Sequence, residues 1–161
     1  MSGVTTGRVA AAAASIALVV VYAGGSGRWV SQGDRWYRSL ERPPWQPPDV
    51  VFGLAWPYNF TMLAVVGVVV ASSADTRSRA VWLAAFALSV VAALGWARLF
   101  YVSHALWPAA GSLAGAALAT VPMLVVAWRT RPWAGVVFVP YLLWLCIATS
   151  LAAGYATRNP A

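Results

Sequence analysis

The sequence predicts an all-α membrane protein: an integral five-transmembrane-helix bundle with a structured loop between helices 1 and 2. Three observations carry this. Hydrophobic residues make up 61% of the chain and charged residues only 9%, whereas soluble domains carry about 25% charged residues. The mean hydropathy is +0.70. The apolar residues gather in five long runs separated by polar turns. Lipid offers the backbone no hydrogen-bond partner, so runs of this kind must close their bonds internally, as helices. At 161 residues the chain suits one domain, 1–161.

The first helix is expected over about 6–23. Its apolar stretch, Val9 to Ala23, is the shortest of the five, and Gly24, Gly25, Ser26 and Gly27 read as its end. Arg8, the apolar core and Val21-Tyr22-Ala23 also have the outline of a secretory signal peptide. The lack of a soluble domain to export favours a retained helix. The other four helices are expected at about 50–71, 80–101, 105–128 and 133–155. Each is close to the ~20 residues that cross a hydrocarbon core. The turns between helices 2 and 3 and between 4 and 5 are short, which makes those helices antiparallel neighbours.

The segment 24–49 is the exception. It is rich in proline and holds three of the four acids and three tryptophans. A long loop in a compact bundle is a lid, a ligand-binding element or disorder, and its aromatic content argues against disorder. Its prolines and Trp36, Tyr37 and Trp45 predict that it folds over one mouth of the bundle.

The net charge of +7 comes from eleven arginines against four acids. The arginines are scattered singly over turns, with no basic face, which points to membrane lipid and away from nucleic acid. They divide almost evenly between the two ends of the bundle, so the positive-inside rule leaves the orientation open. One cysteine, Cys146, excludes an internal disulfide. No metal constellation, phosphate loop or acyl-transfer setting is present. The only histidine, His104, sits in a short turn, and no carboxylate falls inside a predicted helix. Conventional acid–base catalysis therefore has no residues to use.

Ten tryptophans are the remaining signal. Trp107, Trp128 and Trp133 fall at the ends of apolar runs, where indoles form the interfacial belt. On the fifth helix Pro140, Trp144, Ala148, Leu151 and Tyr155 recur at helical spacing and share one face. Ala93, Trp96, Ala97 and Phe100 do the same on the third. Either face is a packing surface or the wall of a ligand slot. Pro57, Pro122 and Pro140 lie inside apolar runs and bend helices. Gly111 and Gly115 form a GxxxG pair that permits close helix contact, within the chain or with a second copy. Leu151, Tyr155 and Arg158 fit a loose sterol pattern, and read more simply as a helix end with an interfacial tyrosine and a snorkelling arginine.

One resemblance covers residues 5–158. The run Trp36-Tyr37, Leu40, Arg42-Pro43-Pro44-Trp45, Pro47-Pro48, Val51-Phe52 and Trp56 resembles the first-loop signature of the translocator protein family. That family is also known as TspO, tryptophan-rich sensory protein or peripheral benzodiazepine receptor. Trp96, Leu99, Phe100 and Tyr101 are similar to its motif on helix three, and Pro140-Tyr141-Leu142-Leu143-Trp144 with Ala148, Thr149 and Leu151 to its motif on helix five. Arg42 stands where Lys is usual, Ala93 and Ala152 where Asn is common, and Phe60 where Tyr is frequent.

The resemblance implies a bacterial-type, multi-pass protein of the cell membrane, commonly a homodimer. It implies binding of porphyrin, haem or sterol-like lipids in a cavity below the first loop. Carried over by position, the ligand-binding residues are Tyr37, Pro47, Trp56, Phe60, Ala93, Trp96, Trp144, Ala148 and Leu151. No cofactor is required and no metal is expected; porphyrin or haem would enter as ligand. The expected function is that of a tryptophan-rich sensor or carrier. Two alternatives stand beside it: light- and oxygen-dependent porphyrin degradation, in which Trp144 would be the catalytic residue, and a ligand-free assembly protein.

Overall fold

The computed structural model describes residues 2–30 and 34–160, with side chains from residue 5. Six helices appear in order: α1 Ser2–Trp29, α2 Arg35–Ser39, α3 Asp49–Ser73, α4 Thr76–Tyr101, α5 Leu106–Thr130 and α6 Pro132–Arg158. Among the described residues there is no strand. All but α2 are long and apolar enough to cross a membrane. The protein is a multi-pass membrane protein built on five spanning helices.

The helix ends follow local chemistry. Asp75 caps α4 by accepting the Ser78 N–H at 3.0 Å and the Ser78 hydroxyl at 2.7 Å, which satisfies a donor the helix leaves open. These hydrogen bonds, the side-chain one first, hold the Asp75 carboxyl below its ordinary pKa. Asp49 lies in the first turn of α3, where the helix dipole favours a negative charge. Pro132 opens α6, a position with no N–H to lose. His104 takes a positive φ of 56° in the turn between α4 and α5.

The end of α1 departs from the sequence expectation. The helix does not stop at Ala23 but runs through Gly24, Gly25, Ser26 and Gly27 to Trp29, and the Val30 N–H still reaches the Ser26 carbonyl at 2.9 Å. Glycine costs a helix only about 1 kcal/mol per residue. Gly25 packs against Leu94 of α4, and a contact of that closeness favours the helix. The expected loop 24–49 shrinks accordingly, and Trp29 belongs to α1. Ser31, Gln32 and Gly33 of that loop lie outside the described residues.

The spanning helices close a ring in the order α1, α3, α6, α5, α4 and back to α1. Its centre is filled by Leu63, Val66, Trp82, Phe86, Met123 and Phe138, all at most 1% exposed. A deeper polar layer joins α4 to α5: the Ser89 and Thr120 hydroxyls sit 3.2 Å apart over the Ala116 carbonyl. Trp107, Trp128 and Trp133 are about half exposed near helix ends, as interfacial indoles should be.

Candidate functional site

Residues 34–48 form a lid across one end of the ring. Aromatic and proline contacts anchor it. Tyr37, on α2, is 8% exposed and packs on Phe100 and Tyr155. Trp36 stacks on His104, with ring centroids 3.8 Å apart and planes 14° from parallel. Pro43 and Trp45 rest on Gly154 of α6, where a Cβ would lie 2.8 Å from both rings. The Arg158 guanidinium sits 4.9 Å from the Trp45 ring centroid, a cation–π distance. Trp45 itself is 50% exposed, Trp36 is half-buried and Tyr37 is buried.

Below the lid is a cavity of about 340 Å³. Its walls come from every spanning helix except α5. From α3 come Phe52, Trp56 and Phe60, spaced four residues apart on one face. From α6 come Trp144, Ala148, Leu151, Ala152 and Tyr155, and from α4 come Trp96, Phe100 and Tyr101. The end of α1 supplies Ala23, Ser26 and Gly27. The rings meet mostly edge to face: Trp144 with Phe52 at 5.2 Å and with Trp56 at 6.2 Å. Trp56 stacks with Phe60 at 5.5 Å, and Tyr22 meets Trp56 and Phe60 edge-on beside them.

The lid end of this cavity is polar. The Tyr155 hydroxyl contacts Gln46 Oε1 and lies 3.2 Å from the Tyr37 hydroxyl. Tyr155 has one proton to give. Donated to the Gln46 oxygen, it leaves the Tyr155 oxygen free to accept from Tyr37. Arg42 lies 5.9 Å from the Tyr37 ring centroid. The cavity thus has a long aromatic body and one hydrogen-bonding end.

Of the residues singled out from sequence, the structure brings Tyr37, Trp56, Phe60, Trp96, Trp144, Ala148 and Leu151 to this cavity. Pro47 and Ala93 are not in its lining. The lid turns Gln46 inward and leaves Pro47, half-buried, outside the lining. Ala93 is 1% exposed within the core, its methyl group packed among helices. Phe60 and Ala152, where the family often has Tyr and Asn, both face the cavity and make its walls more apolar. Tyr155 corrects a second expectation. It is not an interfacial residue but 4% exposed, because the lid covers the helix end that would otherwise meet the interface.

Sequence reasoning missed Phe52, Tyr101, Gln46 and the α1 residues as cavity wall, while Phe100 and Tyr155 lie on the two helix faces it singled out. A signal existed for Phe52, four residues before Trp56. None existed for Gln46. Among the described residues no group of His, Cys, Asp and Glu could hold a metal ion.

The TspO/MBR family profile matches residues 13–158. The chain is 29% identical to protein CrtK of Rhodobacter capsulatus over 153 residues, 91% of this chain and 95% of the relative. It is 29% identical to the tryptophan-rich sensory protein of Cereibacter sphaeroides over 119 residues, 73% of each chain. It is also 29% identical to the human translocator protein over 126 residues, 74% of this chain and 72% of the relative. A match from residue 13 to residue 158, on a ring of five apolar helices under an aromatic lid, has one meaning: the chain belongs to the TspO/MBR family.

Proposed function

We propose that this protein binds flat apolar ligands, porphyrin or haem foremost, in the cavity under the lid, and serves as a sensor or carrier in the membrane. The observation that carries this is the cavity itself. Its volume falls in the range of about 300–1,000 Å³ typical of small-molecule sites, its walls are mostly aromatic, and its polar groups gather at one end. A flat macrocycle finds indole faces and edges along its body and hydroxyl and amide groups at its rim. The names of the relatives, a sensory protein and a translocator, support sensing or carriage. The expected partners are membrane lipid and a second copy of the chain, across the α5 face that carries Gly111. No resident cofactor is part of this reading.

The test is titration of the detergent-purified protein with protoporphyrin IX, in the dark and then under light. Saturable quenching of tryptophan fluorescence without a product is the expected result. A new absorbing product that needs the protein and light would establish the degrading enzyme instead. Absence of saturable quenching would overturn the binding reading and favour an assembly role.

A further inference from the structure

We infer that ligand reaches the cavity sideways from the bilayer, through the seam between α3 and α6, while the lid stays closed; the inference rests on the binding reading above. Five seams close the ring, and four contain a glycine at close approach. A Cβ on Gly67 of α3 would lie 2.8 Å from the Ser15 Cβ of α1, and one on Gly25 of α1 2.7 Å from the Leu94 Cδ2 of α4. One on Gly95 of α4 would lie 2.9 Å from the Ser112 Oγ of α5, and one on Gly135 of α6 2.9 Å from the Trp128 Cα of α5. Small residues let membrane helices pack backbone to backbone. The lid is seated in the same manner, on Gly154.

The α3–α6 seam is built differently. No glycine of α3 or α6 lies at close approach to the other of these two helices. At the cavity the two helices meet through rings, Phe52 and Trp56 in edge-to-face contact with Trp144. A side-chain hydrogen bond spans the seam, from the Tyr58 hydroxyl to the Val137 carbonyl at 2.9 Å. Proline flanks that bond on both helices. Pro57 precedes Tyr58, and Pro140 follows Val137 by three residues. Pro140 has no N–H for the carbonyl four residues earlier, which loosens α6 in that turn.

Aromatic contacts and a side-chain bond part by rotamer changes, whereas the Gly67 contact with the Ser15 Cβ and the Gly135 contact with the Trp128 Cα part only if a helix moves. The rings at this seam are themselves cavity wall, so parting them opens the cavity to lipid. An apolar ligand is already concentrated there. The described lid residues are tied through Gly154, Asn159, Tyr155 and the Trp36–His104 stack.

Two measurements test this, both in a Cys146→Ser background in nanodiscs. In the first, Tyr58→Cys with Val137→Cys is joined by a short bismaleimide, and Glu41→Cys with Asn159→Cys is joined likewise as the lid control. Stopped-flow quenching by protoporphyrin IX should slow on the order of tenfold with the seam joined, about 1.4 kcal/mol of barrier, and stay near the unlinked rate with the lid joined. The reverse pattern overturns the inference.

The second measurement needs no porphyrin. Ala152→Cys places a thiol at a cavity position that is 3% exposed. A bilayer-dissolved N-alkyl maleimide should label it several-fold faster when Tyr58→Phe is added, and no faster when Asn159→Ala is added. Labelling that Tyr58→Phe does not accelerate overturns the seam as the way in. If the parent shows no porphyrin quenching at all, the binding reading fails, while the labelling rates still decide the path.

Discussion

Asn159 holds Glu41 by both faces of its side-chain amide, across 118 positions of sequence. The Asn159 Oδ1 accepts the Glu41 N–H at 2.8 Å, and Nδ2 donates to the Glu41 carbonyl at 3.1 Å and to the Tyr155 carbonyl at 2.9 Å. One side chain therefore stands in for a neighbouring strand and ties the lid to the end of α6.

Asn159→Ala should loosen the lid without unfolding the bundle. The bonds lie near water, so their joint contribution is about 1 kcal/mol. Trypsin should cut faster at Arg35 and Arg38, while helix content by circular dichroism stays as in the parent. Asn159→Asp keeps the acceptor and loses the donors, and should fall between the two.

Glycine substitutions should separate by what each Cβ meets. Gly135→Ala drives a methyl into Trp128, including its Cα, and neither helix backbone can yield cheaply. A loss of about 1–3 kcal/mol is expected, the usual range for overpacking, seen as a lower melting temperature in detergent. Gly53→Ala meets open space and should stabilise α3 by up to about 1 kcal/mol through helix propensity. Equal melting temperatures for the two variants would contradict the packing at the α5–α6 seam.

Trp144→Phe should keep the fold and weaken protoporphyrin IX binding. The loss of indole area corresponds to about 1 kcal/mol, or roughly fivefold in dissociation constant. Among the described residues the buried Trp144 N–H has no hydrogen-bond partner, so its removal leaves no orphaned group behind and the melting temperature should change little. Ala148→Thr adds bulk one turn away in the same wall and should also lower affinity. Unchanged binding in both variants would make Trp144 a packing residue.

Asp75 gives the protein an acid-sensitive cap. Its carboxyl pKa is lowered in the folded chain, so its contribution is present above the unfolded value of about 4 and is lost as pH falls through the folded one. Asp75→Ala should lower the melting temperature at neutral pH, and the gap between variant and parent should close as the pH drops below 4. A gap that persists at the acid end would assign the effect to packing.

The sequence alone determined the five spanning helices, because their cause is local. A backbone in lipid must bond within its own segment, so hydropathy and length name the helices without knowledge of neighbours. The lid's place was legible too, in the Trp36–Phe52 run of aromatics and prolines. Which side of each helix faces the cavity was a different matter. In water, periodicity marks the buried face, but lipid is as apolar as a core, so Leu143 outside and Trp144 inside look alike in sequence. Tertiary structure decided that Tyr155 lies under the lid, that Gln46 turns in where Pro47 was expected, and that Ala93 packs away from the cavity. It also decided that α1 continues through four positions that read as a terminator. Each outcome depends on what lies opposite, Pro43 over Gly154 or Leu94 against Gly25, and a contact between distant segments has no local signature to read.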